Sequence, residues 1–208
     1  NATLSCTVKR TSLSSKEKTL VRCNELIVNK SKYSGSGIGS TTFNDGLTYS
    51  SVYGTRVQDD EISLNYPDIY RILGIFESND SSNPTLPALT VSSQSDSFVN
   101  NVKTGEQLIG NSSGALARVV YVDGSNQIRF VYENEKTFEV GETITFKTSS
   151  IIATISILIV GDRNIVRNYE FDDGYRLEYA DYGRIIRTSR NTEPTKKLSI
   201  IFDYYQNN

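Results

Sequence analysis

Two stretches of this chain carry the same pattern 36 residues apart. Gly105-Glu106 recurs as Gly141-Glu142, and Leu108 as Ile144. Ser112-Ser113 recurs as Thr148-Ser149, Ala117 as Ala153 and Val119 as Ile155. Each copy reads as turn, strand, small-residue turn, strand. A lone hairpin is marginal in water, because nothing covers its apolar face. Two copies can cover each other, so the repeat predicts a small β module over residues 98–160. Between the copies, Val119–Val122 and Gln127–Tyr132 flank Asp123-Gly124-Ser125-Asn126. That is a hairpin with strong turn chemistry, since Gly and Asn accept positive φ at low cost. The second copy is degenerate, with Phe146 and Ser150 in place of Gly110 and Gly114.

The rest of the chain agrees with a β reading. It holds 19 Ile, 15 Val and 19 Thr against 6 Ala, so its side chains are stiff at χ1 and suit a pleated surface. Ser at 26 and Asn at 17 supply turns. No segment sustains a helical period with caps. Strands are expected at 2–10, 61–65, 69–76, 182–187 and 197–205. In 17–29, Leu20, Cys23 and Ile27 have helical spacing, but Leu26-Ile27-Val28 reads as a strand, and a strand is preferred. Residues 34–48 form a long loop, and 77–97, rich in Ser, Asn, Asp and Pro, form a linker. The run Ile151–Val160 is half the length of about 20 residues that spans a bilayer, and it reads as a buried strand. The expected fold is all-β and mostly antiparallel, in two or three small sandwich- or barrel-like modules. Residues 1–90 form an N-terminal module and 98–160 the inserted repeat. Residues 161–208 form a C-terminal segment that completes the first module, so 61–76 and 196–205 should share a sheet.

Composition also excludes chemistries. The chain has no His, which removes Ser-His-Asp triads, Cys-His pairs and imidazole proton shuttles. With only Cys6 and Cys23, ordinary zinc sites are out too. Those two thiols are either buried small hydrophobes or a disulfide. Lys plus Arg at 22 against Asp plus Glu at 24 leaves a net charge of −2, which offers nucleic acid no basic field. The chain lacks Met, so it is expected to be a piece of a longer or processed polypeptide.

Few constellations survive inspection. Asp172-Asp173-Gly174 lacks the spaced ligands and twelfth-position Glu of a calcium loop, and reads as a hairpin turn. Asp59-Asp60-Glu61 reads as a solvated loop rather than a carboxylate pair. Gly35, Gly37 and Gly39 match neither the dinucleotide fingerprint nor the P-loop. Asn1, Asn29, Asn79 and Asn111 head glycosylation triplets of the kind that Asn- and Ser-rich sequence produces by chance. The last third interleaves Arg163, Arg167, Arg176, Arg184, Arg187 and Arg190 with Tyr, and acidic residues nearly cancel their charge. Such a pattern fits cross-strand ion pairs on a sheet, a protein interface, or a surface for nucleic acid or glycan. The candidate interface residues are Tyr169, Tyr175, Tyr179, Tyr182, Arg184 and Arg187. No catalytic, metal-binding or cofactor-binding residue is assigned, and no cofactor is expected.

Three segments carry a resemblance. They are SLNYPDIYRILGIFESND at Ser63–Asp80, the Gly-Glu repeat with Ser-Ser-Gly-Ala at Gly105–Ala115, and the closing run. That run holds Gly161-Asp162-Arg163, Phe171-Asp172-Asp173-Gly174, Ala180-Asp181-Tyr182, Arg184-Ile185 and Pro194-Thr195-Lys196. Together they resemble large virion structural proteins of contractile-tailed phages, notably those of marine cyanobacteria. The resemblance covers Thr48 to Tyr205, and the second repeat departs from it at Thr148–Ile151. It implies a non-enzymatic structural role in a tail, baseplate or fibre, and therefore a virion location. The implied partners are other virion proteins and further copies of the chain, with no nucleic acid and no membrane. Exposed Tyr and open strand edges would supply the contacts. A glycan- or receptor-binding adhesin is the alternative.

Overall fold

The computed structural model describes residues 3, 17–31, 56–92, 98, 101–123, 126–177 and 179–207. Cys6, the expected strand at 2–10, the loop at 34–48 and its three glycines lie outside these residues.

The chain is nearly all β and antiparallel. Its strands are β1 (Lys18–Val28), β2 (Glu61–Ser63), β3 (Ile69–Glu77), β4 (Ala88–Val91), β5 (Gln107–Gly110), β6 (Leu116–Asp123) and β7 (Gln127–Tyr132). There follow β8 (Thr143–Phe146), β9 (Ile152–Ile159), β10 (Arg163–Asn164), β11 (Tyr169–Asp172), β12 (Arg184–Arg187) and β13 (Leu198–Asn207). A single 3₁₀ turn, Val166–Asn168, precedes β11. One sheet has the order β1-β13-β3-β10, a second has β11-β12-β2, and β4-β7-β6-β5-β8-β9 close into a barrel.

The two open sheets pack around one core. Val28, Ile75, Leu198, Ile200 and Phe202 come from the first sheet, and Ile62, Tyr169 and Ile185 from the second. β13 is the central strand and holds six consecutive buried residues from Leu198 to Asp203. It pairs with β3 from Leu198↔Glu77 to Tyr204↔Ile69, so the end of the chain and residues 69–77 share a sheet across the intervening barrel. Residues 18–28 form one strand, interrupted by a bulge where Cys23 takes φ 54°.

The barrel starts earlier than residue 98. The segment expected to be a linker contains β4, whose Leu89 and Val91 are buried in the barrel core. The strand is only four residues long and has Pro84 and Pro87 just before it, so its turn residues masked it in sequence. The chain enters and leaves the barrel side by side. Asp162 donates its N–H to the Thr85 carbonyl at 2.7 Å, and its carboxylate accepts the Thr85 N–H at 2.7 Å. Gly161 sits in this neck at φ +77°, where a Cβ would lie 2.4 Å from the Pro87 nitrogen.

The 36-residue repeat is a structural one. The Gly105 N–H donates to the Val119 carbonyl at 2.7 Å, and Gly141 to Ile155 at 2.8 Å. Val119 donates back to Glu106 at 2.9 Å, and Ile155 to Glu142 at 3.0 Å. The hairpin bonds Gly110 to Ala115 and Phe146 to Ile151 are both 2.9 Å. β5 and β8 pair across the relation, since Leu108↔Phe146 and Gly110↔Ile144 exchange under it. Gly114 has φ +66° and its mate Ser150 has φ 58°, so the turn keeps its left-handed residue although the side chain changed. Each repeat also closes the other. The Glu106 carboxylate accepts the N–H groups of Thr148 and Ser149, and the Glu142 carboxylate accepts those of Ser112 and Ser113.

Against expectation, β9 is buried on one face only. Ala153 and Ile155 point into the barrel, while Ile152, Ile157 and Ile159 point out and are 61%, 55% and 38% exposed. An apolar run shows no alternation in its letters, and only the pleat separates its two faces.

The barrel sits on the first sheet through Val120 and Val131, which pack with Cys23, Phe76 and Ile201. A polar network crosses the same joint. Asp203 is fully buried and accepts the Cys23 N–H at 2.8 Å and Arg71 Nε at 2.9 Å. Arg71 also meets Glu133 at 3.3 Å, and Arg118 donates to that carboxylate at 2.7 Å. Burial pushes the Glu133 carboxyl up, but the Arg118 and Gln107 hydrogen bonds overcome it and hold it below its ordinary value.

Candidate interaction site: an aromatic tongue and a groove

β11 and β12 pair from Tyr169↔Arg187 to Asp172↔Arg184, and the chain between them projects as a tongue. The tongue folds on itself. Tyr175 bridges Ala180, the Arg176 N–H donates to the Tyr179 carbonyl at 2.9 Å, and the Asp181 N–H donates to Gly174 at 2.9 Å. Its root is the Asp172 carboxylate. That group accepts both terminal nitrogens of Arg176 at 2.9 and 2.6 Å, the Gly174 N–H at 3.0 Å and Arg184 Nε at 2.9 Å. The Arg176 bonds above all hold the Asp172 carboxyl far below the usual carboxylate range, with Gly174 and Arg184 adding to them.

This root presents large side chains to solvent. Leu177 is fully exposed, and Tyr175, Tyr179 and Tyr182 are 51%, 62% and 48% exposed. Apolar and aromatic groups clustered on a surface mark contact sites. Holding them in place beforehand lowers the ordering cost of binding.

The six sequence candidates therefore divide. Tyr175, Tyr179 and Tyr182 share the tongue. Tyr169 does not join them, because it is buried in the sandwich core and burial raises its phenol above the ordinary value. Arg184 is held between Asp172 and Glu61, and Arg187 between Asp60 and Glu193. These arginines are structural ties rather than exposed contacts. The acidic triplet is correspondingly not a solvated loop. Asp59 is buried and accepts the Arg56 N–H at 2.9 Å, while Asp60 and Glu61 take the two arginines. Arg163 and Arg167 pair with Glu77 and Glu135. Leu177 was missed, although a single Leu between Arg176 and Glu178 in a polar turn was the available signal.

Beside the tongue lies a groove of about 330 Å³, lined by Tyr70, Ile72, Val166, Tyr169, Phe171 and Ile185 among others. It runs between β3 and β11. On that side, among the described residues, β3 is met by the two residues of β10 opposite Glu77 and Phe76, and Ile75 donates its N–H to the Asn164 side chain and accepts the Ile165 N–H. This leaves residues 69–74 without a paired strand there, and β11 is an edge strand of its sheet. Open strand edges of this kind can accept an added strand. The arrangement can bind and dock. Among the described residues no group of three or more His, Cys, Asp or Glu could hold a metal ion. No helix among them is long and apolar enough to cross a membrane. No family model, curated protein or solved structure matches the chain.

Proposed function

We propose that this chain is a phage virion structural protein that acts by protein–protein contact in a tail, baseplate or fibre. The observation that carries the reading is the tongue, with Tyr175, Leu177, Tyr179 and Tyr182 exposed on a root locked by Asp172. The resemblance of the closing run to contractile-tail proteins supports it, since that run contains the tongue. In this reading the sandwich is a rigid mount, the tongue is a plug for a neighbouring virion protein, and the chain does no chemistry. Mass spectrometry of purified particles from the source phage tests the location. The chain's peptides are expected at a fixed copy number, and their absence overturns the reading. Leu177→Asp combined with Tyr179→Ser tests the tongue, because particles should then fail to incorporate a chain that still folds.

A glycan-binding adhesin is favoured by one feature, the three tyrosines gathered on a single projection. A glycan array separates the two readings. A saturable signal for one sugar, lost in Tyr179→Ser, would replace the structural role.

A further inference from the structure

The tongue gathers negative charge as well as aromatic rings. With its root it spans residues 170–184, which hold Glu170, Asp172, Asp173, Glu178 and Asp181 against Arg176 and Arg184, a formal charge of −3. The whole chain carries −2, so the residues outside this stretch are together net positive. Both guanidiniums are tied at the root. Arg176 gives its two terminal nitrogens to Asp172, and Arg184 lies between Asp172 and Glu61. Further out the carboxylates are set among the rings. Asp173 accepts the Tyr175 N–H at 2.9 Å, and Asp181 accepts the Tyr182 N–H at 2.8 Å. A bond to a backbone N–H places a carboxylate without cancelling its charge. Glu170 and Asp173 are exposed, as are Tyr175, Leu177, Tyr179 and Tyr182.

We propose that the tongue docks on a basic protein surface, which brings Arg or Lys side chains to its tyrosine rings. The inference rests on the tongue being the contact site and adds the chemistry of what it meets. The face of a tyrosine ring is electron-rich and attracts a guanidinium or ammonium group. Carboxylates beside the rings add complementary charge and steer the encounter. Leu177 supplies an apolar centre that the partner covers. The same charge selects against other occupants. A second tongue would set −3 against −3 across a twofold contact, where each residue near the axis meets its like. Nucleic acid and anionic lipid carry the wrong sign.

The test titrates a nona-arginine peptide into the 208-residue chain at about 50 mM salt and follows amide resonances. Saturable shifts are expected at Leu177 and Tyr179, and nona-glutamate should give none. Raising the salt to about 300 mM should weaken binding at least about tenfold. The combined variant Asp173→Asn, Glu178→Gln, Asp181→Asn keeps the oxygen acceptors and the rings, and should also weaken it at least about tenfold. If that variant alters the fold by circular dichroism, Glu178→Lys alone decides and should weaken binding at least about threefold. Tyr179→Ser, with every charge kept, should weaken it about threefold through the lost ring. No shift at the tongue, equal binding of nona-glutamate, or affinity unchanged by removing the carboxylates or the ring overturns the proposal. Saturable shifts from maltohexaose in place of nona-arginine overturn it in favour of a neutral glycan. Particles separate this inference from the reading beneath it. If the combined charge variant is incorporated normally while Leu177→Asp with Tyr179→Ser is not, the tongue stands as the contact and the basic partner falls. If both are incorporated normally, the tongue falls and the inference with it.

Discussion

The two crossed glutamates give the sharpest test of the barrel. Glu106 and Glu142 are 3% and 6% exposed, and each closes the turn of the other repeat. Glu106→Ala removes the acceptor of three backbone N–H groups, those of Lys103 at 3.1 Å, Thr148 at 2.6 Å and Ser149. Hydrogen bonds to a charged acceptor contribute about 1.5–3 kcal/mol each, so three independent ones would total about 4–9 kcal/mol. They are not independent, and removing the carboxylate also relieves the cost of burying it. The expected loss is therefore about 3–5 kcal/mol. For a chain of this length each kcal/mol shifts the midpoint by about 2–4 °C, which gives a drop of about 6–20 °C by calorimetry. Glu142→Ala should match it within about 1 kcal/mol, because Glu142 takes the Glu139 N–H at 2.7 Å and those of Ser112 and Ser113 at 3.3 and 3.2 Å. Glu106→Gln should fall between, since its amide nitrogen must face an N–H. A loss under about 1 kcal/mol in either Ala variant would refute the crossed clamp, because the buried carboxylate would then contribute less than a single charged hydrogen bond.

Other perturbations test the joint and the tongue. Asp203→Ala strips Cys23 and Arg71 of their buried acceptor and should cost about 3–5 kcal/mol in urea unfolding followed by Tyr fluorescence. Burial, and then the Asp203 charge, push the Cys23 thiol up to about 12. In a Cys6→Ser background it should resist thiol reagents at pH 8 until the protein unfolds, and its stability contribution should fade only as pH rises from about 8.5 toward that value. Asp172 is shifted the other way, so its contribution is present above about pH 3.9 and is lost as pH falls below it. The Gly174 amide resonance of the folded protein should hold steady through the usual carboxylate range and move only well below it, and Asp172→Asn should abolish the transition.

What could be read from the letters was whatever the backbone made compulsory. The Gly-Glu pair repeats because Gly makes the left-handed turn and Glu the clamp, and the Ser-Ser and Thr-Ser pairs recur because both residues of each supply N–H groups to that clamp. Ser150 shows the limit of that rule. It keeps the left-handed φ of Gly114 although Ser carries a Cβ, with the Glu106 carboxylate holding the N–H groups of Thr148 and Ser149 just before it. β4 was hidden because two inward residues, Leu89 and Val91, were all it contributed to the core. The tyrosines were visible as a group, but the sequence did not separate Tyr169 from Tyr175. That depends on where the β11–β12 ladder stops: Tyr169 lies inside it, opposite Arg187, and Tyr175 lies three residues beyond its last pair. The arginines were visible as a balanced set, yet their partners Glu61, Asp60 and Glu77 come from more than 80 residues away. Long-range pairing of that kind decides which charges are ties and which are free. It leaves uncharged side chains exposed on the tongue. Because the Asp203 network fixes barrel to sheet, a contact made at the tongue would hold the barrel at a set angle to the partner.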